Sequence, residues 1–538
     1  MAKLTAQEII KKQGKAYSTK SSWDTEYRDI FEYCMPSRDG YQKAIAGEKT
    51  DGPFQDRREN LYSSVGEQAA NEFVNTMQEV LAPPMSDWIS MECGFNFKEE
   101  DKEKTNKELD KISEYANQYK NNSSFDMAFS EFCYDLFAGT ACMLVLPDRP
   151  LAPISFKAIP IREYCIEEGV NAEVRAVFRK YSMKRELLGA QWKELKSMDM
   201  SDTSDKKQED IELIESMWFD YDLNVYHYQV IDSAKQNELL AREYKTNPFI
   251  VLRWNKCAGE AYGRGVGLTA INDIKTLNLI KYYSMRNFAF QMPILLAQED
   301  AMFDVELFDA TPLSINVVPD TKSSIVPMDI NPKYDAESYK TQELTMDIKK
   351  NTYSSNLPNE GNRELTATEV RARLAELRKS LNSVFGRLIS EFQIPLVRRI
   401  LDVLGDTQIL GKNFSEQFDV TKVDGLTYKV NVITPIGKIV KYNEAQAILA
   451  SALTLVQFDD TGAVFEDAIK FDETIERYLK LSGMPLDLIK TAEDAKKGRQ
   501  AKAEAQARQQ AGAMEADVEM DNQKAIGKET AKGFSNGG

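Results

Sequence analysis

A long stretch of helical character in the middle of the chain constrains the fold more than any other feature. It runs from Arg264 to Met292 and ends at Pro293. About 29 residues at roughly 1.5 Å each would form a helix of about 43 Å, which is unusually long for a globular domain. After an interval interrupted by prolines, residues 334–353 are again predicted to be helical. The two helices would form a projecting hairpin that carries a small αβ or β insertion.

A polar segment with both Pro and Gly, residues 354–365, leads into a third long helix. Thr366 and Glu369 have the spacing of a capping box at its start. Pro395 is expected to kink this helix rather than end it, because the apolar pattern continues to Leu404. A coiled coil would also produce such a stripe, but its short length favours packing on a domain core. The stripe before the proline consists of Val370, Leu374, Leu377, Leu381, Val384, Leu388 and Phe392.

The rest of the chain mixes helix and strand. Amphipathic periodicity predicts helices over the ranges 67–81, 106–119, 124–137, 443–457 and 471–481. Alternating or short apolar stretches predict strands over the ranges 141–146, 154–159, 164–167, 174–179, 225–231 and 427–432. Helices and strands therefore share one α+β body. An exposed polar loop is predicted at 197–210 and a polar, flexible tail at 491–538.

The charge balance restricts the ways in which the chain can contact nucleic acid. Among 538 residues, 84 acidic and 68 basic side chains give a formal charge of −16. This balance argues against binding nucleic acid over a broad basic face, because non-specific binding depends on Lys and Arg that neutralise phosphates. Brief contact with DNA is still allowed. A hydrophobic content of 42% excludes disorder of the whole chain, and the length suggests three or four folding units.

Motifs of enzymes, metal sites and cofactor sites are missing from the sequence. Its one histidine, His227, lies in an alternating strand-like stretch, where a packed or solvated side chain is the commoner outcome. The six cysteines form no C-x-x-C pair, and no Gly-Lys pair is followed by Ser or Thr as a P-loop requires. The glycines of the stretch 263–267 do not fit a dinucleotide loop and predict a flexible entry to the following helix. We therefore expect no catalytic residues, no metal and no cofactor.

Neither secretion nor membrane insertion is predicted. The N-terminal residues have no apolar core of signal-peptide type. The longest uncharged and mostly apolar stretch near the middle, residues 287–298, contains Gln291 and Pro293 and is too short to span a bilayer. Dispersed cysteines suit a reducing cytosol.

An ordered series of segments between about residues 20 and 490 resembles the portal, or head-to-tail connecting, proteins of short-tailed, T7-like bacteriophages. The resemblance lies in the order and spacing of the segments rather than in one diagnostic motif. The segments are LAPPMSDWISM (81–91), AGTACMLVLPD (138–148), the strand pair around 164–178, EAYGRGVG (260–267), RELTATEVRARLAEL (363–377) and EFQIPLVRRIL (391–401).

The resemblance implies a mainly helical α+β portal fold that assembles as a ring of about twelve copies at one capsid vertex. Double-stranded DNA would pass through the ring during packaging and ejection, without sequence preference. The implied parts are a wing (1–262), a first stem helix (263–292), a clip (293–333), a second stem helix (334–353), a tunnel loop (354–365), a long kinked wing helix (366–404), a wing return segment (405–440), a crown (441–490) and the tail (491–538).

The same resemblance implies the partners and the location. The clip would dock the terminase large subunit and later a tail adaptor protein, and the ring would also contact the major capsid or scaffolding protein. The protein would be assembled in the host bacterial cytoplasm and reside in the virion, with no membrane contact.

Residues near the implied tunnel loop are the candidate DNA contacts. Twelve copies at −16 would carry −192, so the ring would repel phosphates and touch DNA only sparsely. An ordinary solvated loop explains each of these residues equally well. The candidates are the cations Lys349, Lys350 and Arg363, the neutral donors Asn356, Asn359 and Asn362, and the neighbouring acids Glu360 and Glu364.

Two other classes of function stay open at this point. A tail adaptor or an internal scaffold protein of the virion is the closer alternative. A packaging ATPase or nuclease is disfavoured, because the chain has neither a P-loop nor a clustered-carboxylate motif.

Overall fold

The computed structural model consists of two compact units, Met1–Thr434 and Pro435–Gly538. In the second unit, residues 444–451, 474–475 and 477–479 are helical, which agrees with the predicted helices 443–457 and 471–481. The residues that the structure describes are 4–38, 61–94, 96–97, 99–149, 152–197, 210–290, 295–297, 325–327, 334–354, 381, 384–407, 418, 420–423, 427–432, 444–451 and single positions or short runs from 454 onwards.

The first unit is an α+β body, as predicted. Its main helices are Ala6–Ser21 (α1), Asp24–Cys34 (α2), Val65–Leu81 (α3), Glu99–Asn121 (α4), Phe125–Ala138 (α5), Val266–Phe290 (α6), Tyr334–Asn351 (α7) and Ile394–Asp406 (α8). Its strands are Ile89–Cys93 (β1), Thr140–Arg149 (β2), Ala152–Ile159 (β3), Tyr164–Glu168 (β4), Val174–Lys184 (β5), Asp210–Asp220 (β6), Val225–Asp232 (β7), Asn237–Tyr244 (β8), Phe249–Arg253 (β9), Leu295–Ala297 (β10), Ile325–Pro327 (β11) and Tyr428–Val432 (β12). The predicted helix 106–119 is confirmed as part of α4, which begins earlier, at Glu99.

The larger sheet is antiparallel throughout, with the strand order β4-β5-β6-β7-β8. Helix α1 covers part of one face, where Ile9 and Ala16 pack with Phe178 and Trp218 of the sheet. The predicted strand around His227 is confirmed as β7, and the imidazole stacks on Trp218 with ring centroids 4.3 Å apart. His227 is buried in this stack, so packing accounts for the one histidine of the chain.

A buried lysine and a partly buried aspartate lie where α1 and α5 meet the chain segment that leads into β4. Lys20 donates from Nζ to the carbonyl oxygens of Ile161 and Tyr164. The amide of Ile161 donates to Asp135 Oδ2 at 2.9 Å. Burial lowers the pKa of the Lys20 ammonium and raises the pKa of the Asp135 carboxyl to about 7, because a buried charge loses its hydration.

The smaller sheet has the order β3-β2-β9 and is also antiparallel. Helices α3 and α5 pack beside this sheet and form a hydrophobic core there. Phe73 of α3 lies edge-on to Phe137 of α5 and to Trp254, which follows β9, with centroid distances of 5.5 and 5.2 Å. Edge-to-face aromatic pairs add to the free energy gained from burial alone. This cluster fixes the end of β9 in the core.

Strand β1 pairs with β12, and helix α4 covers the other edge of β1. Asn106, Ser113 and Asn117 lie on one face of α4 because their spacing is seven and four residues. Their side-chain oxygens accept the amides of Cys93, Met91 and Ile89 at 2.8, 3.1 and 3.1 Å. The helix therefore satisfies every outward-facing amide of this strand and protects an edge that would otherwise be open.

The helix continues through Pro395, as predicted, and a π-helical turn precedes the proline. Residues Leu388–Gln393 are π-helical, and α8 continues from Ile394 to Asp406. The π-helical turn is wider than an α-helical turn, and it precedes Pro395, whose nitrogen has no hydrogen to donate. The stripe packs on the core, as predicted: its buried members include Leu381, Val384, Leu388, Phe392, Leu396, Val397, Ile400, Leu401 and Leu404. The predicted capping box at Thr366 and Glu369 lies outside the described residues.

Candidate functional site: the helical hairpin and its base

The two long helices predicted from the sequence are present as α6 and α7, and they pack against each other. Helix α6 ends at Phe290, slightly before the predicted Met292, and α7 begins at Tyr334. Between them, β10 and β11 form an antiparallel pair in which Leu295 lies opposite Pro327. The predicted hairpin with a β insertion is therefore confirmed for the described residues.

Burial divides the hairpin into a base and a distal part. At the base, one face of α6 is buried, and Asn278 is the last buried residue on it. At the end of α7, Ile348 and Thr352 are also buried. No side chain of α6 between 279 and 286 is buried. In the distal part, five large apolar side chains are 52–68% exposed to solvent: Leu279, Tyr283, Met285, Tyr339 and Met346.

Contacts with the segment before α3 hold α6 where the buried part ends. The side-chain oxygen of Asn278 accepts the amides of Tyr62 and Ser63 at 2.7 and 3.1 Å. One turn further, the Tyr282 ring lies 4.9 Å from the Tyr62 ring. These contacts attach the hairpin to the body at the end of its buried part.

The glycines before α6 form a close crossing of two backbones. A Cβ on Gly139, whose φ is +140°, would lie 2.1 Å from the carbonyl oxygen of Gly263, and a Cβ on Gly265 would lie 2.2 Å from that of Phe137. The amide of Trp254 donates to the carbonyl of Gly139 at 2.8 Å at the same place. The predicted flexible entry is therefore wrong: only glycine allows backbones to approach so closely, and the start of α6 is fixed.

Helix α7 ends in a Schellman motif with an unusual residue at its left-handed position. The amide of Ser354 donates to the carbonyl of Lys349 at 2.9 Å, and that of Tyr353 to the carbonyl of Lys350 at 3.4 Å. Tyr353 has a φ of +57°, which costs a residue with a Cβ about 1–2 kcal/mol. Its ring lies 5.9 Å from that of Trp254 in the core, so this packing offsets the strain and fixes the direction of the chain at Ser354.

The structure describes two of the eight predicted DNA-contacting residues. Lys349 is half-buried and Lys350 is exposed, both in the last turn of α7. Cations at a helix C-terminus interact favourably with the helix dipole. The other six predicted contacts, Asn356, Asn359, Glu360, Asn362, Arg363 and Glu364, lie outside the described residues.

A buried arginine, which sequence reasoning missed, anchors the π-helical turn before α8. Arg253 donates to both carboxylate oxygens of Glu391 in the π-helical turn, at 2.6 and 3.2 Å, and its amide donates to the same carboxylate at 3.1 Å. A further bond of 2.6 Å joins it to Glu168. Charge-assisted forked bonds of this kind are strong and directional. A charged residue that ends a strongly apolar strand was the available signal.

Two neighbouring residues at the end of β9 hold described segments that lie on either side of the predicted tunnel loop in the sequence. Trp254, which follows β9, packs on Tyr353, where α7 ends, and Arg253 binds Glu391 in the π-helical turn. The end of α7 and the π-helical turn are therefore fixed at the same place in the body.

Other kinds of site find no support among the described residues. In that part of the chain, no cluster of His, Cys, Asp and Glu could hold a metal ion. Likewise, none of the helices described is long and apolar enough to cross a membrane. Burial raises the pKa of the Cys34 thiol to about 12, so this cysteine is not a reactive thiolate at neutral pH.

Comparisons with solved structures find particle necks of a gene transfer agent (GTA). A structure titled "Neck of empty GTA particle computed with C6 symmetry" is 9% identical and matches 76% of this chain and 94% of its own, with a TM-score of 0.34. Another, "Neck of native GTA particle computed with C12 symmetry", is 10% identical and matches 82% and 98%, also with a TM-score of 0.34. No curated protein sequence matches the chain significantly.

A family model described as bacteriophage head to tail connecting protein matches residues 6–489, which is nearly the whole chain. Proteins of this family are structural components of the virion and not enzymes. The match includes both helices of the hairpin, the glycine crossing and the helix that Arg253 anchors. The chain therefore belongs to the family of bacteriophage head to tail connecting proteins.

Proposed function

We propose that the protein is the portal of a short-tailed, T7-like bacteriophage, a ring through which double-stranded DNA enters and leaves the capsid. Family membership supports a place in the head-to-tail connection. The observation that carries the more specific function is the fixed start of the predicted loop, because Tyr353 packs on Trp254 where α7 ends. A loop that contacts moving DNA must yield locally without detaching from the body, and a fixed start supports that behaviour.

The ring is formed by about twelve copies, and the hairpins stand side by side as its stem. Exposed apolar side chains on the distal hairpin, such as Tyr283 and Met346, support this assembly. A contiguous apolar surface on a soluble protein is typical of an interaction site, and a closed ring of identical copies covers it on every subunit.

The channel transports DNA without holding it. The net charge of −16 per subunit supports weak interaction, because the summed field of the ring repels phosphates. Lys349, Lys350 and Arg363 provide the few cationic contacts. Asn356, Asn359 and Asn362 provide neutral donors, while Glu360 and Glu364 keep the loop from binding tightly. Sparse contact of this kind allows DNA to slide, since each phosphate contact that must be broken would raise the energy barrier to movement of the DNA through the ring.

The remaining parts have the roles that the family resemblance implies. Residues 293–333 form the clip that docks the terminase large subunit and then the tail adaptor, and residues 441–490 form a crown. The wing contacts the major capsid or scaffolding protein. The ring is assembled in the host cytoplasm and occupies one vertex of the virion.

Negative-stain electron microscopy of the purified protein tests the assembly. We expect rings of about twelve subunits with an axial channel and a narrow stem. Monomers or filaments would overturn the portal assignment and favour an adaptor or scaffold protein instead.

Loop variants test the role in DNA passage. Deletion of residues 356–362, or Arg363→Ala, should leave rings intact but reduce DNA packaging or retention in particles. Lys235→Ala is a matched control, because it removes an exposed cation from the turn between β7 and β8. Packaging and retention equal to those of the control would show that the loop does not act on DNA.

A further inference from the structure

Helices α3 and α5 carry charges of one sign only. Residues 65–81 contain three Glu, residues 125–138 contain one Glu and two Asp, and neither helix contains Lys or Arg. Glu79 and Glu131 are exposed, and among the described residues no ion pair to either carboxylate exists. Neighbouring charges of the same sign repel each other, so a cationic partner would stabilise this arrangement.

Two contacts show that the exposed glutamates lie close to each other on the surface. Tyr134 of α5 donates to Asn71 Oδ1 of α3 at 2.8 Å. The amide of Met85, which follows α3, donates to Asp126 Oδ2 at the start of α5 at 3.3 Å. The two helices are therefore antiparallel, and both exposed glutamates lie between these two contacts.

Together with these glutamates, two methionines form the α3/α5 face, which consists of Glu79, Glu131, Met85 and Met127. The methionines are 74% and 72% exposed. Met85 has a φ of +54°, a left-handed conformation that strains a residue with a Cβ. The buried Lys120 holds its loop by donating to the carbonyl of Ser86 at 2.7 Å. A strained, fixed loop that exposes a large apolar side chain is typical of an interaction site.

Helix α1 presents the opposite charge to solvent. Lys11 and Lys15, which form the α1 face, are exposed one turn apart on the side opposite the residues that pack on the larger sheet. Among the described residues, no ion pair to either ammonium exists. The single acid of this helix, Glu8, interacts with Lys12. The α1 face therefore has two cations without a carboxylate.

The two faces are complementary in charge, and a second copy of the chain is the partner that satisfies both. Within one copy, no ion pair joins the described residues of the α1 face to those of the α3/α5 face. Duplex DNA would attract the lysines but be repelled by the glutamates, and a basic protein would leave the lysines without a partner. Because the two faces share no residue, contact between copies is heterologous, and its repetition around an axis closes a ring.

We propose that the α1 face of one copy binds the α3/α5 face of the next copy around the ring. The two lysines pair with the two glutamates, while the aliphatic stems of the lysines pack on the exposed methionines. This contact rests on the ring of the proposed function, and it adds a second connection to the one that the hairpins make. Its charges determine which faces meet, because two faces of the same kind would bring like charges together.

Charge reversal in the full-length protein tests the contact. One variant carries Lys11→Glu and Lys15→Glu, and the other carries Glu79→Lys and Glu131→Lys. In sedimentation velocity at about 0.1 M salt, each variant alone should need about tenfold more protein for half-assembly, because every contact then joins like charges. An equimolar mixture of the two should form rings again, since copies that alternate around the ring bring opposite charges together at every contact.

The matched control combines Lys111→Glu with Lys235→Glu, which reverses two exposed cations elsewhere and should assemble like the unchanged protein. Circular dichroism checks that each variant keeps its fold. Reversal variants that assemble like the control would overturn the contact but leave the proposed ring in place. Loss of rings that the mixture does not restore would also overturn it. Absence of rings from the unchanged protein would overturn the proposed function together with this contact.

Discussion

The glycine crossing before α6 gives the sharpest prediction about stability. Gly265→Ala would place a Cβ 2.2, 2.5 and 2.6 Å from the carbonyl oxygen of Phe137, the carbonyl carbon of Ala138 and the amide nitrogen of Gly139. Favourable contacts between carbon atoms begin at about 3.5 Å. All three obstructing atoms belong to backbone, so no side-chain rotation can relieve the clash. The crossing must open by roughly 1 Å or more.

The expected loss of stability is a few kcal/mol. Forced overpacking costs about 1–3 kcal/mol. Opening the crossing also disturbs two backbone hydrogen bonds, from Trp254 to Gly139 at 2.8 Å and from Gly265 to Ala138 at 3.3 Å. Each contributes about 1 kcal/mol. The sum, about 3–5 kcal/mol, is a large part of the 5–15 kcal/mol that typically separates folded from unfolded domains.

Urea unfolding followed by far-UV circular dichroism, at one fixed protein concentration, measures the effect. Gly14→Ala and Gly386→Ala are matched controls, because both positions are helical and an added Cβ at either would meet nothing within 4 Å. These controls should gain about 0.5–1 kcal/mol. A loss below about 1 kcal/mol for Gly265→Ala would refute the conclusion that the entry to the hairpin is rigid.

Three further changes test the buried polar groups and the end of α7. Asp135→Asn should leave the unfolding free energy unaltered below about pH 3.8; as the pH rises from about 3.8 to about 7, the wild-type protein should lose stability relative to the variant, and the difference should level off above about 7, because the folded state holds the carboxyl proton more tightly than the unfolded state. Asn117→Ala removes two hydrogen bonds to Ile89, so it should cost about 2–4 kcal/mol and accelerate hydrogen exchange at the Ile89 amide. Tyr353→Ala keeps the left-handed strain and loses the ring packed on Trp254, so it should be about 1 kcal/mol less stable than Tyr353→Gly; equal stabilities would show that the φ of +57° carries no strain.

Local pattern was enough to predict most elements of the first unit. The apolar spacing of 67–81 and 124–137 predicts helices that the structure confirms as α3 and α5. The continuation of the helix through Pro395 was also predictable, since the apolar stripe continues on both sides of the proline. These predictions succeed because the spacing of the apolar residues along a helix determines which of its faces is buried.

Features that depend on a distant partner could not be predicted in this way. The partner of Gly265 is the backbone of Phe137, which lies far away in sequence, so the same glycines suggested flexibility. The amides that Ser113 and Asn117 bind belong to β1, which the sequence pattern did not reveal as a strand. For the candidate site, the pattern placed Lys349 and Lys350 next to a turn, but it could not show that Trp254 supports that turn.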